Sequence, residues 1–334
     1  MKRLLTGLQP SGQLHIGNYF GALKPFADTY QEYESFLMVA DYHSLTSLKD
    51  PKALRENIVE VVRGYLAAGV DPNKAVIFKQ SDMQEHTELA WIFECLVTVP
   101  FLELSHAYKD KVAKGMEANA GLFNYPMLMA ADILLYDTEV VPVGKDQQQH
   151  VEYAREAANK FNLAYGQTFT EPQAKIMETV AVVPGTDGQK MSKSYKNTIP
   201  LFASKDEVAK AVMNIVTDSM QTREGAVEES KVLGGQTMMR HPISFATNLF
   251  AIHTLFRNEK ELVDLYNANK SNYKALKEVL IADIEVVVAP MRTKYDSITE
   301  AQVKEVLTKG AEKAKAITSA KMADVRKKVG VSLN

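Results

Sequence analysis

Arg3-Leu4-Leu5-Thr6-Gly7-Leu8-Gln9-Pro10-Ser11-Gly12-Gln13-Leu14-His15-Ile16-Gly17-Asn18-Tyr19 changes conformation twice within a few residues. Its apolar start is short enough for a first strand, and Pro10, Ser11 and Gly12 then break it. After the break, Ile16, Tyr19, Phe20, Leu23 and Phe26 recur at helical spacing, so Gly17 and Asn18 fall in the first turn of a helix. Free backbone N–H groups at such a helix start favour an anion, and Gly17, with no side chain, lets a ligand lie against the backbone. His15 and Asn18, one turn apart, project donors toward the same point. Alone, such a stretch is more often an ordinary glycine-containing turn with a capping serine.

Working outward, strands and helices alternate. Apolar runs at 36–40, 75–80, 139–143 and 180–183 read as strands buried on both faces, and the spacing predicts helices near 51–68, 86–97, 125–136 and 147–161. That order implies an α/β fold with a parallel sheet and helices on both faces. Asp41 and His43 follow the second strand at its carboxyl end, where ligands collect in open α/β sheets. His43 by itself is more often a structural hydrogen-bonder than a ligand contact. Beyond Pro200 the pattern turns helical, with helices expected at 205–216, 243–257, 259–270 and 272–288. The expected segments are 1–200, a helical domain at 201–290, and terminal helices at 291–334.

Composition excludes several classes. The single cysteine, Cys95, rules out an intramolecular disulfide and a cysteine-based metal cluster, and its apolar neighbours suggest a core or interface position. No apolar run is long enough to span a bilayer, and Met1-Lys2-Arg3 precedes no signal-peptide core, so a cytoplasmic protein with no membrane partner is expected. A net charge of −2 argues against a DNA-coating protein and requires any RNA to meet a local basic face. Lys304, Lys309, Lys313, Lys315, Lys321, Arg326, Lys327 and Lys328 offer one, or else a solvated helix surface. No Walker loop occurs, so a nucleotide must be held otherwise.

Two further stretches carry chemistry. Lys190-Met191-Ser192-Lys193-Ser194 follows the flexible run 184–189 and reads as a mobile loop with two ammonium groups and two hydroxyls; alone, such a cluster is usually a surface turn. Tyr125, Met129 and Asp132 share one face of a helix that Pro126 is expected to open. A carboxylate within that apolar face is costly unless something pairs with it.

The Lys190 loop together with His15-Ile16-Gly17-Asn18 resembles the two signature motifs of class I aminoacyl-tRNA synthetases, with Asn18 where a final His is usual. The run 7–23, the segment 41–46 and the segment 125–150 extend the likeness, over most of the chain, to the bacterial tryptophanyl-tRNA synthetases. The resemblance implies a Rossmann-like catalytic domain, ATP with Mg²⁺ bound through its phosphates, L-tryptophan and tRNA(Trp) as partners, and a homodimer through 91–104. It places ATP between Gln9, Pro10, Ser11, Gly17 and Asn18 on one side and Lys190, Met191, Ser192, Lys193 and Ser194 on the other. Val183 would cover adenine, with Gly144, Lys145 and Asp146 near the nucleotide. Lys190, Lys193, Gln9, His15 and Asn18 take the catalytic roles.

For the amino acid, the resemblance implies a slot of Leu5, Ala40, His43, Tyr125, Met129, Val141 and Val143, with Gln147 at the α-amino or carboxylate group and Asp132 receiving the indole N–H. Lys109 and Lys111 read as part of a solvated surface segment, or, as the resemblance implies, as further phosphate contacts. Tyrosine-specific relatives typically have Gln where this chain has Met129, which favours tryptophan. A tyrosyl-tRNA synthetase, a small-molecule nucleotidyltransferase and a non-catalytic RNA-binding paralogue remain the alternatives. Lys196 stands where Gly is common in relatives, and 224–240 is unassigned.

Overall fold

Parallel pairing of apolar strands is the organising feature. In the computed structural model, residues 1–113, 115, 117–143, 148–176, 183–217, 247–269 and 272–333 are described. Among them, strands β1 (Arg3–Leu8), β2 (Glu34–Val39), β3 (Ala75–Lys79), β4 (Val140–Val143) and β5 (Gln173–Ile176) form one sheet in the order β3-β2-β1-β4-β5, every pair parallel. β1 and β2 run in register from Arg3 opposite Glu34 to Leu8 opposite Val39, and five of the six β2 residues are buried. Strand order reverses between β1 and β4, which opens a crevice at the carboxyl ends there.

Between the strands lie α1 (Ile16–Asn18), a π-helical turn (Tyr19–Leu23), α2 (Lys24–Thr29), α3 (Asp41–Ser44), α4 (Pro51–Ala67), α5 (Glu85–Glu94), α6 (Val99–Leu102), α7 (His106–Ala113), α8 (Ala120–Leu134) and α9 (Gln148–Tyr165). Then come α10 (Lys205–Met213), α11 (Thr247–His253), α12 (Glu259–Ala268), α13 (Tyr273–Ser297) and α14 (Glu300–Val329). Contacts gather them into two compact units: Met1–Gln13 with Ala22–Thr179 and Ser297–Asn334, and Leu14–Gly21 with Val180–Asp296. These units cut across the expected segments 1–200, 201–290 and 291–334.

The first unit holds the sheet and a core that includes Leu5, Phe36, Phe78, Phe93, Met127, Phe161 and, from α14, Ala314, Met322 and Val325. α14 buries a stripe of Val303, Leu307, Gly310, Ala314, Thr318, Met322 and Val325, spaced three or four residues apart. Gly310 lets it press on β3: a Cβ there would lie 1.7 Å from the Ile77 carbonyl oxygen. The basic residues of α14 are largely spent on ion pairs. Lys315 reaches Glu85 at 2.7 Å, Lys321 Asp137 and Arg326 Glu88, while Lys304, Lys309 and Lys328 pair with acids one turn away. Six of the eight cations expected to form a free basic face are thus matched to carboxylates.

Three local expectations change. α8 begins at Ala120, where the Asn119 side chain accepts the Leu122 N–H at 2.8 Å, so Pro126 lies inside the helix instead of opening it. The edge strand β5 went unread because Gln173 and Lys175 break the apolar pattern; the strand expected at 180–183 lies outside the described residues except for Val183. Cys95 is exposed, as are Trp91, Val99 and Leu104, whereas Phe93 and Leu102 are buried.

The second unit contains α1, the Lys190 loop and α10–α13. Ser204 and Glu207 cap α10 reciprocally, and the Lys277 ammonium donates to the carbonyls of Met213, the last residue of that helix, and of Ile215 just beyond. Arg257 and His253 converge on Asp283, tying α11 and the turn after it to α13.

Candidate active site

Within the second unit the two distant motifs meet. His15 forms an antiparallel bridge with Pro200, the Ile16 N–H donates to the Ile199 carbonyl at 3.0 Å, and the Leu201 N–H donates to the Leu14 carbonyl at 2.9 Å. These backbone bonds join the start of α1 to the chain just past the lysine loop. Gly17 is closely packed: a Cβ there would sit 3.0 Å from the His15 ring and 3.4 Å from Met191 Sδ. Asn18 turns its Oδ1 back to accept the His15 N–H at 3.1 Å, closing the first turn. The His15 side chain is buried, its Nδ1 has no hydrogen-bond partner, and burial together with the Lys193 ammonium lowers it to about 4. It is therefore a neutral ring at pH 7 with one nitrogen unsatisfied.

The lysine loop has a built shape. Val183 accepts the Met191 N–H at 2.9 Å, and Pro184 bridges Lys190, which makes a short hairpin. Asn197, 2 % exposed, is its hub: Oδ1 accepts the Ser192 N–H at 2.8 Å, while Nδ2 donates to Asp187 at 2.7 Å and to the Lys190 carbonyl at 3.1 Å. Gly185 admits that side chain, since a Cβ would lie 2.2 Å from Asn197 Nδ2. Lys196 holds φ at +53°, the left-handed region glycine favours.

Within the first unit, α3, the turn that follows β3, α5 and α8 converge on Asp132, 1 % exposed. His43 Nε2 lies 2.9 Å from Oδ2, His86 Nδ1 2.6 Å from Oδ1, and Gln80 Nε2 donates to both oxygens at 2.8 and 3.0 Å. Burial pushes the carboxyl up, but hydrogen bonds from His43 and His86 outweigh it and hold Asp132 down at about 2. Gln80 Oε1 accepts the N–H groups of Tyr42 and His43, which turns its amide nitrogen toward the acid. Tyr136 OH lies 2.9 Å from His86 Nε2, and burial followed by the nearby Asp132 charge raises the phenol. Gln80, His86 and Tyr136 were not expected. Only the place of Gln80 at the carboxyl end of β3 hinted at one of them.

His43 and Tyr125 also line a cleft of about 370 Å³ with Tyr42, Thr46, Asn119 and Gly121. Tyr125 OH shares a 2.6 Å hydrogen bond with His150 Nε2. Leu5, Ala40 and Val141 are buried in the same core against which Met129 packs. Gln9 and Ser11 are exposed at the end of β1, Pro10 is buried, and Asn57 donates to its carbonyl at 3.2 Å. Lys109 and Lys111 sit on α7. Gly144, Lys145, Asp146 and Gln147 lie outside the described residues, as do the Val143 side chain and residues 224–240.

Residues 1–308 match the model of the tRNA synthetases class I (W and Y). The chain belongs to this family. This class I synthetase is 46% identical to the tryptophan–tRNA ligase of Fusobacterium nucleatum, across 99% of the chain and 98% of that relative. Its structure is similar to that of the Campylobacter jejuni tryptophanyl-tRNA synthetase complexed with ADP and tryptophan, with a TM-score of 0.84, 44% identity, and 98% and 99% of the two chains covered. The Mycoplasma pneumoniae tryptophanyl-tRNA synthetase matches with a TM-score of 0.81 at 30% identity, over 99% and 98% of the chains. The Rossmann-like parallel sheet and helical remainder of this class I synthetase are those of the family.

Proposed function

We propose that this synthetase is a tryptophan–tRNA ligase, converting L-tryptophan and ATP to tryptophanyl-adenylate and pyrophosphate, then acylating the 3′-terminal adenosine of tRNA(Trp). The observation that carries it is the backbone pairing of His15 with Pro200, which fixes the first motif beside the second within one unit. The tryptophan carboxylate, ionised at neutral pH, attacks the α-phosphorus; its oxygen–phosphorus bond forms as the bond to pyrophosphate breaks. No general base is needed, so catalysis is positioning and charge stabilisation.

Lys190 and Lys193 neutralise charge building on the triphosphate, whose Mg²⁺ enters with the nucleotide. Met191, Ser192 and Ser194 support that loop, and Val183 covers adenine. Gln9, Pro10, Ser11, Gly17 and Asn18 hold the nucleotide from the other motif, with Lys145, Asp146 and Gly144. His15, neutral and with an unsatisfied Nδ1, suits a neutral hydrogen bond to the nucleotide. Gln147 takes the α-amino or carboxylate group. The indole N–H binds Asp132 by displacing one of its donors, and His43, which lines the cleft, is the donor that yields. Leu5, Tyr125, Met129, Val141 and Val143 enclose the ring.

Lys193→Ala should retain tryptophan binding and lose about a hundred- to a thousandfold in tryptophan-dependent exchange of pyrophosphate into ATP, the loss of about 2.7–4 kcal/mol typical of one such donor. Unchanged exchange would refute the role, and exchange driven by tyrosine instead would replace the substrate. The exposed Trp91, Val99 and Leu104 support a homodimer through this face, testable by sedimentation of Trp91→Glu. No described helix is long and apolar enough to cross a membrane, and a tRNA substrate supports a cytoplasmic enzyme.

A further inference from the structure

We infer that His86, oriented by Tyr136, is the positioning residue that holds Asp132 in the ionised, correctly turned state needed to select an indole N–H. A carboxylate only accepts, so the short contact from His86 Nδ1 to Oδ1 requires the proton on Nδ1. A neutral ring then offers a lone pair at Nε2, and the Tyr136 hydroxyl at 2.9 Å donates into it. The result is a one-way chain, Tyr136 O–H to His86 Nε2, His86 Nδ1–H to Asp132. Gln80, its carbonyl occupied by two backbone N–H groups, adds donation to both oxygens.

Nothing in this relay faces water. Gln80, His86 and Tyr136 are fully buried, Asp132 is 1 % exposed, and the rings of Phe36 and Phe78 pack on Tyr136, with Phe78 stacked on His86. Each rotamer is thereby fixed by packing, as selection by a single hydrogen bond demands. His43 differs: it borders the cleft, so its N–H can leave while His86 and Gln80 continue to hold the acid. The helix that carries His86 is itself anchored, because Glu85 binds Lys315 and Ser319 of α14.

The inference presupposes that Asp132 receives the indole N–H, as proposed above. The test compares kcat/KM in pyrophosphate exchange for tryptophan and for its benzothiophene analogue, in which sulfur replaces the N–H. Wild-type enzyme should prefer tryptophan. His86→Leu should reduce that preference roughly tenfold or more, the worth of a hydrogen bond to a charged group, whereas His86→Asn, which keeps a donor near the Nδ1 position, should retain most of it. Damage to folding alone would lower both substrates together and leave the ratio unchanged. If His86→Leu does not fold, Tyr136→Phe is read instead: with the hydroxyl gone, Nε2 can take the proton and turn a lone pair on the acid, and the preference should fall. A discriminating wild type with an unchanged ratio in the folded variant overturns the role of His86. A wild type that uses both substrates equally overturns the reading of Asp132, and this inference with it.

Discussion

His15 and Asp132 show opposite ways of controlling charge at a single residue. Burial and Lys193 keep the imidazole neutral, whereas donated hydrogen bonds keep the carboxylate ionised against burial. Both make stability rise with pH, in separate windows. As pH falls from 6.5 toward about 4, the unfolded chain protonates His15 before the native state does, so stability drops across that interval and levels off below it. The Asp132 contribution, present above the ordinary carboxylate range, is lost only as pH falls toward about 2. Urea midpoints measured at pH 7 and pH 4.5 should therefore differ more for the wild type than for His15→Gln; equal differences would mean that His15 is not the titrating group. His15, Gly17 and Asp132 were visible in the sequence because their types are unusual where they stand. Gln80, His86 and Tyr136 were not, since each is an ordinary residue of its own segment and becomes special only through neighbours 46–52 positions away.

At the scale of the element, the loop of 184–194, which reads as mobile from its sequence, has a defined hairpin closed on the buried Asn197. Its composition, rich in Gly, Ser and Lys, reads as flexible because the hub lies three residues past the motif. Asn197→Ala removes one acceptor and two amide N–H donors from a buried site, each worth about 1 kcal/mol net and more when a partner is left unsatisfied. Pyrophosphate exchange should fall about tenfold or more, since small misplacements of a charged donor are costly. KM for tryptophan should stay near the wild-type value, because the Asp132 network belongs to the other unit. A tryptophan KM that moves with the rate would count against this separation. Pro126 carries the reverse lesson: a helix-start signal was taken from proline when the Asn119 cap lay seven residues earlier.

For the molecule as a whole, the first unit is completed by α14, which is distant in sequence from the sheet it covers. α14 covers β3, anchors α5 through Glu85 and Glu88, and adds Ala314, Met322 and Val325 to the core. Gly310→Ala tests how tight that closure is. Alanine gains about 1 kcal/mol of helix propensity over glycine, but a methyl 1.7 Å from a carbonyl oxygen forces the helix off the strand, and overpacking of this kind costs about 1–3 kcal/mol. The clash should win, lowering the melting temperature by several degrees; a higher melting temperature would mean that α14 does not press on β3.

The sequence by itself determined the parallel sheet, the two motifs and the acid in the apolar helix, because strand burial, turn chemistry and a misplaced charge are local signals. Tertiary structure alone decided that the basic C-terminal helix spends most of its cations on carboxylates of its own unit. It also decided that a histidine on one helix and a tyrosine on another orient Asp132. Hydrogen-bond direction and charge pairing depend on which distant side chains are brought within about 3 Å, and no periodicity along the chain encodes that.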